Sequence, residues 1–464
     1  MSVLPAADKR FDITVPVAII GAGACGLIAA LAAQDAGAEV MVFERDKVPR
    51  GSTALSSGFV PAAGTRYQRA RGVTDSPALL LADIQRKSHD QSDPVIAAAV
   101  AQESGPTIEW LADRHGLEFV LVEGFLYPGH SALRMHAHPR RTGEALMTAL
   151  LEAVNRAGID IVTEAQVVDL YADDDGRVRG FACLRPDGRR EDVGCGALVL
   201  ACNGYGGNPE MVRRHIPEMA DALYFGHAGN QGDAVRWGEA LGGAARDMSA
   251  YQGHGSVATP HNVLITWALM MEGGFQINAE GQRFSNEHLG YSEQAVTVLA
   301  QPGGIAWCIY DERIHRLGRD FEDYRDAEAA GAIHHADDLA GLAAIAGVPA
   351  QALSETFAAV VRFCRGDADP FGRDFTGKTA LAPPYYAVRV SGALFHTQGG
   401  LAIDKTARVL RADGTPLPNL LAGGGAARGV SGAAVWGYLS GNGLLTAVTL
   451  GRIAGASAAE LSKA

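Results

Sequence analysis

Gly21, Gly23 and Gly26 stand at the spacing of a G-x-G-x-x-G turn, and Glu44 closes the same segment, residues 17–46. Together these residues can hold a dinucleotide. Gly21 permits a tight turn, Gly23 lets the backbone approach a pyrophosphate, and Gly26 lets the following helix pack closely on the preceding strand. Ala24 opens that helix, whose leading amides would face the phosphates. The Glu44 carboxylate can accept hydrogen bonds from both ribose hydroxyls of an adenosine. It argues against a 2′-phosphate, so NADP is disfavoured and FAD or NAD remain. Three further stretches have ligand-binding character. Arg45 leads into the loop GSTALSSG (51–58), in which Ser52, Thr53, Ser57 and Gly58 offer hydroxyl and amide donors to an extended polar ligand. A strand at 197–201 ends in CNGYGGNP, where Asn203 and Gly204 mark another close approach of backbone to ligand. Asp233 opens an amphipathic helix at 235–241.

The elements that must position these residues are legible from periodicity. Residues 17–20 form an apolar, β-branched strand suited to burial on both faces. A helix over 27–36, capped by Gly37, and a second strand over 40–43 complete a βαβ unit. Helical periodicity runs over 76–116 and 142–157, and a strand over 160–163. Residues 166–171, with Val167, and 178–184 form a hairpin around the Asp-Asp-Asp-Gly turn at 173–176, whose spacing fits no EF-hand; no metal site is expected. From Tyr251 to about residue 380 the chain becomes aromatic and His-bearing, and reads as an inserted second domain. The division is residues 1–251 and 381–464 for one domain and 252–380 for the other. Strands at 387–390, 401–403 and 420–422 precede the glycine-rich run through Gly425, Gly441 and Gly443 into a final helix over 444–454.

Composition narrows the class. The 464 residues are 47% hydrophobic and 20% charged, with 57 glycines and a net charge of −12. That charge argues against nucleic acid or an anionic membrane as partner. The six cysteines form no C-x-x-C pair and no zinc spacing, and read as reduced core residues. The amino-terminal residues 1–14 are polar, and the longest strongly apolar stretch, 263–271, falls far short of the ~20 residues that span a bilayer. A soluble, cytoplasmic enzyme without a membrane span is expected.

GAGACG with Glu44, GSTALSSG, LACNGYGGNPEM, GNQGDAVRWGEALG, INAEGQRFSNE, PPYYA, HTQGGLAID and SGNGLLTAVTLGRIAG occur in this order between residues 17 and 455. The series resembles the flavoprotein family of fumarate reductases, succinate dehydrogenase flavoprotein subunits and 3-ketosteroid dehydrogenases. The resemblance implies an α/β fold: a Rossmann-type, glutathione-reductase-like FAD domain with an inserted α+β capping domain. It implies FAD rather than NAD, held non-covalently, because the loop after Glu44 lacks the histidine that members with covalent flavin use. Val167, Gly425, Ser440, Gly441, Asn442, Leu444 and Leu445 join the residues above as expected FAD contacts. The helix opened by Ser440-Gly441-Asn442-Gly443 would aim at the flavin's pyrimidine end and stabilise negative charge on the reduced form.

Two departures bear on the reaction. Fumarate reductases clamp a dicarboxylate with two arginines. The segment after Arg283-Phe284-Ser285-Asn286-Glu287 is His288-Leu289-Gly290-Tyr291, and Tyr438 precedes Ser440-Gly441-Asn442, so neither arginine is present. Tyr291 instead resembles the proton-transfer tyrosine of the ketosteroid dehydrogenases. Tyr386, in PPYYA, matches the segment where those enzymes hydrogen-bond the substrate carbonyl, and Tyr127 corresponds to a second active-site tyrosine. Tyr438 and His396 are expected to orient substrate or share the proton, and His254 matches a histidine near the fumarate reductase site. The implied chemistry is desaturation of a C–C bond beside a ketone, in a cyclic ketone such as an oxocyclohexane carboxylate or a 3-ketosteroid. Reduction of an unsaturated carboxylate is the alternative. A role as the flavoprotein subunit of a membrane complex is disfavoured by the lack of an iron–sulfur cysteine cluster or haem motif. The sequence names neither the electron acceptor nor the oligomeric state.

Overall fold

The computed structural model describes residues 2–463. Its first sheet is built outward from Ile13–Ile20, whose buried half, Val17–Ile20, is the predicted apolar strand. Ile13–Ile20 pairs in parallel with Val40–Phe43 on one side and with Arg190–Leu200 on the other. Asp160–Val162 extends the parallel run beyond Val40–Phe43, and Pro416–Ala422 extends it beyond Arg190–Leu200. The hairpin Gln166–Ala172 and Val178–Leu184 attaches antiparallel to the first half of Arg190–Leu200. Ser2–Pro5 adds an edge strand beside Gln166–Ala172.

Helix Ala24–Asp35 covers this sheet, and the carboxy-terminal helix Asn442–Leu461 packs against it. The contact is close because it is made by glycines. A Cβ on Gly455 would lie 2.0 Å from the Ala29 carbonyl oxygen, and one on Gly451 would lie 2.6 Å from that of Cys25. Asn442–Leu461 is the one helix among the described residues with the length and apolarity to cross a membrane. Here it is a core helix, with Leu445, Val448, Ala454 and Ala458 fully or almost fully buried. The helical region predicted over 76–116 is two helices, Pro77–Lys87 and Pro94–His115. They are separated at His89 and Asp90, which adopt positive φ, and Asp93 caps the second through the amides of Val95 and Ile96.

The second sheet is organised on Tyr385–Thr397, its longest strand. This strand pairs antiparallel with Tyr251–Ala258, Ile305–Asp311 and Ile333–Ala336, and in parallel with Leu223–Tyr224. The sheet therefore draws strands from both sides of the span 252–380. Beside it Glu287 is fully buried between Arg283 and Arg373, at 2.8 and 2.9 Å, and Arg283 also pairs with Asp369 at 2.6 Å. The arginine of the RFSNE motif is thus consumed within this layer.

Candidate active site and cofactor cradle

The glycine turn is as tight as its spacing implies. A Cβ on Gly26 would fall 1.8 Å from the Gly21 carbonyl oxygen, and one on Gly21, at φ +103, 2.6 Å from that of Ala201. On Gly23 it would meet only the Thr53 hydroxyl, at 3.7 Å, and would otherwise project into an open cleft. Helix Ala24–Asp35 has no side-chain cap, so its first amides face that cleft. The Ala24 amide is approached by the Thr53 hydroxyl at 3.3 Å. Glu44 is oriented by the amides of Ala22 and Asp46, at 2.8 and 3.0 Å. Burial raises the Asp233 carboxyl above its ordinary range, and its Oδ1 is buried without a partner. A cradle that glycine keeps open, uncapped helix amides and an orphaned carboxylate oxygen fit the nucleotide end of FAD.

The cleft continues into a chamber. Ser52, Thr53, Asn203 and Gly425 line both; Gly21, Gly23, Ala24, Glu44, Arg45, Val167 and Asp233 line only the first. Ser57, Gly58, Ser440, Gly441 and Leu444 line only the chamber. Four expected FAD contacts stand behind these walls. Gly26 is spent on the turn, Gly204 packs on the Thr397 hydroxyl, and Leu445 points into the core. Asn442, fully buried, donates to the Ser431 hydroxyl at 3.2 Å. A helix advances about 100° per residue, so Leu444 and Leu445 cannot share one face.

At the far end of the chamber Tyr291, Tyr438, Tyr127, His254 and His396 converge. Tyr291 begins helix Tyr291–Leu299, and Tyr438 ends the turn that leads into Asn442–Leu461. Their rings lie 6.0 Å apart, edge to face, and Tyr127 sits 6.5 Å from Tyr291 on another side. Burial pushes the Tyr291 phenol up to about 12, while hydrogen bonds from the Ser440 hydroxyl, the Gly441 amide and the Tyr438 hydroxyl oppose the rise. Burial and the adjacent Tyr291 hold Tyr438 well above the usual tyrosine range. The Gly443 amide also donates to the Tyr438 hydroxyl, at 3.4 Å.

His254 is stacked between Tyr291, at 4.7 Å, and Phe395, at 5.2 Å, with Trp267 against its edge. Burial pushes it down to about 3, so the imidazole is neutral. His396 is likewise pushed down to about 4. Phe395 and His396 are adjacent in sequence and yet both line the chamber. The register slips by one between the pairs Gln252–His396 and Gly253–Leu394, and this bulge inserts Phe395 on the chamber side.

Tyr386 is not part of this constellation. Its hydroxyl donates to Glu312 at 2.6 Å, and its ring stacks on His315 at 4.1 Å, beside Tyr310. The expectation that it binds a carbonyl is corrected: Tyr386 stands at the opposite end of strand Tyr385–Thr397 from the chamber residues Phe395 and His396, about 30 Å away at ~3.3 Å per residue. The structure brings in instead Gly443, Gln252, Thr266, Trp267 and Phe395. No lysine, arginine, aspartate or glutamate is among the chamber's lining residues; Glu44, Arg45, Asp46 and Asp233 all lie in the nucleotide cleft.

The family model of an FAD binding domain matches residues 16–444. The chain belongs to this FAD-binding family. It is 30% identical over 456 residues to a fumarate reductase (cytochrome) of Shewanella frigidimarina, covering 97% of this chain and 78% of that protein. A 4-oxocyclohex-2-ene-1-carboxylate 5-dehydrogenase of Sinomonas cyclohexanicum is 26% identical, over 97% of this chain and 95% of its own. The crystal structure of the 3-ketosteroid-Δ4-(5α)-dehydrogenase of Rhodococcus jostii superposes with a TM-score of 0.77 at 25% identity, covering 98% of this chain and 99% of that one. The protein is an FAD-dependent oxidoreductase of the fumarate reductase family, and its sequence stands nearer to the fumarate reductase than to the cyclohexene carboxylate enzyme.

Proposed function

We propose that this enzyme desaturates a C–C bond adjacent to the carbonyl of a neutral cyclic ketone, of the 3-ketosteroid class. The observation that carries this reading is the chamber's lining: tyrosines, aromatic rings and backbone amides, with no cationic side chain. A carboxylate substrate entering it would exchange its hydration for no compensating charge, a costly transfer. A ketone needs only hydrogen-bond donors where enolate charge develops.

In this reading substrate binding would turn the Tyr438 hydroxyl and the Gly441 amide from Tyr291 to the carbonyl oxygen, and Tyr291 would take the α-proton. FAD, when bound, supplies the acceptor for the β-hydride. The neutral His254 stacks on the Tyr291 ring and holds it in place. The flat walls made by Trp267, Phe395 and Phe225 suit a fused alicyclic ring system.

Reduction of an unsaturated carboxylate is the second reading, supported by the 30% identity to the fumarate reductase. Anaerobic titration of the oxidised holoenzyme separates the two. Bleaching of the flavin by a neutral cyclic ketone, with an enone as product, is expected. No bleaching by any such ketone, together with reoxidation of the reduced enzyme by fumarate, would overturn the proposal.

A further inference from the structure

Behind the reactive tyrosines lies a buried polar chain that the mechanism above does not use. Arg134, with a fully buried side chain, is bidentate to Asp75 at 3.0 and 2.8 Å and donates to Asp83 at 2.6 Å. It also approaches Nδ1 of His130 at 3.3 Å. A guanidinium can only donate, so Nδ1 of His130 accepts and the ring proton sits on Nε2. That Nε2 lies 2.8 Å from the carbonyl oxygen of Ser440. His130 and Ser440 are both buried, and Ser440 and Gly441 line the chamber.

The Ser440 carbonyl and the Gly441 N–H belong to one peptide unit. The two cis peptides of the described residues lie elsewhere, at Thr259–Pro260 and Pro383–Pro384. The Ser440–Gly441 peptide is therefore trans, and its C=O and N–H point in opposite directions. A donor that grips the carbonyl from behind aims the amide forward. Gly441 adopts φ +85 and has no Cβ, so no side chain of its own restrains that rotation.

We propose that His130, held in its Nε2–H form by Arg134, is a positioning residue that locks the Ser440–Gly441 peptide so that the Gly441 amide faces Tyr291, Tyr438 and the substrate carbonyl. Asp75 and Asp83 keep Arg134 in place. His130 touches neither substrate nor flavin; it sets the direction of a donor that does. The inference rests on the ketone-desaturase reading for its kinetic consequence, and on the geometry alone for its effect on ligand binding.

The test compares wild type, His130→Leu and His130→Gln as purified holoenzymes with flavin content and Tm recorded. A glutamine can present its amide N–H where Nε2 stood. On a neutral cyclic ketone, His130→Leu is expected to lose kcat by about 10- to 100-fold, less than the about 10²–10³ that follows removal of such a donor outright. KM stays within about threefold, and the kinetic isotope effect of the α-deuterated ketone rises, as expected when proton removal becomes the slower step. His130→Gln recovers most of the loss. Equal kcat and isotope effect in all three proteins would overturn the proposal, as would equal loss in both variants. Binding of 2-naphthol, a planar phenol that mimics the enol, is read in parallel from the flavin spectrum. If wild type turns over no ketone but binds 2-naphthol at least about tenfold more tightly than His130→Leu, with His130→Gln restored, the reaction assignment fails and the positioning role stands. Indistinguishable naphthol affinities, or no binding to wild type, overturn it.

Discussion

The Tyr291 hydroxyl is surrounded by donors that stabilise its ionised form and by apolar walls that oppose it. With burial raising the phenol to about 12, a general base here depends on those donors to reach its reactive state. Tyr291→Phe is therefore expected to lower kcat by about 10²–10⁴-fold while leaving flavin content unchanged, as steady-state rates and the visible spectrum would show. Because Tyr386 is spent on Glu312 and His315, Tyr386→Phe is expected to keep kcat within about twofold of wild type. Its cost is one partly exposed hydrogen bond, about 0.5–1.5 kcal/mol at most, measurable by denaturant titration. Loss of turnover in Tyr386→Phe, with Tyr291→Phe active, would reverse the two assignments. The two tyrosines read alike in the sequence, each within a family motif. Only where each falls along its folded element separates them: Tyr291 opens the helix at the chamber, while Tyr386 lies at the strand end away from it.

Among the elements, the pair of helices Ala24–Asp35 and Asn442–Leu461 does the most. One presents its amino-terminal amides to the nucleotide cleft, and the other presents Gly441 and Gly443 to the chamber. Their mutual distance is set by Gly451 and Gly455 against the backbone of Cys25 and Ala29. Gly455→Val places a side chain against a carbonyl that cannot yield without moving a helix. It is expected to cost about 1–3 kcal/mol and to weaken FAD retention, read as a lower Tm of the apoprotein and faster flavin loss on dilution. Unchanged flavin retention would mean that the two helix termini are not coupled through this contact. The strand Tyr385–Thr397 is the corresponding element of the second sheet, and its bulge delivers both Phe395 and His396 to the chamber. Period-two alternation cannot announce a bulge, since the extra residue becomes visible only against a partner strand.

At the scale of the whole molecule, folding buries several neutral imidazoles, two of them, His254 and His396, in the chamber wall. His130 and His254 are pushed down to about 3, and His136, His288 and His396 to about 4, in every case chiefly by burial. In the unfolded chain a histidine titrates near ~6.5. Between that value and the folded ones the unfolded state binds more protons, so stability falls as pH falls. The stabilisation is fully present above about pH 6.5 and is lost progressively toward pH 4. Thermal unfolding at pH 7.5 and pH 4.5 should show a clearly lower Tm in acid. His254→Phe should reduce that pH dependence; equal slopes for the two proteins would show that His254 is protonated in the folded state.

The glycine turn, Glu44, the hydroxyl loop and the parallel strands were legible in the chain because each depends on neighbours within one βαβ unit or one short segment. Spacing alone identifies Gly21, Gly23 and Gly26, since each answers a steric demand made a few residues away. The absence of the two carboxylate-clamping arginines was equally a matter of reading positions. The composition of the chamber was not. Tyr127, Tyr291 and Tyr438 come from three separate segments, and only the packing of the second sheet over the FAD cleft brings their hydroxyls to one place. The same packing left Tyr386 at the far end of its strand, put Leu445 in the core behind Leu444, and set His130 behind the Ser440 carbonyl. Local sequence determines which backbone can hold a dinucleotide; which side chains meet above it depends on where distant segments point after folding.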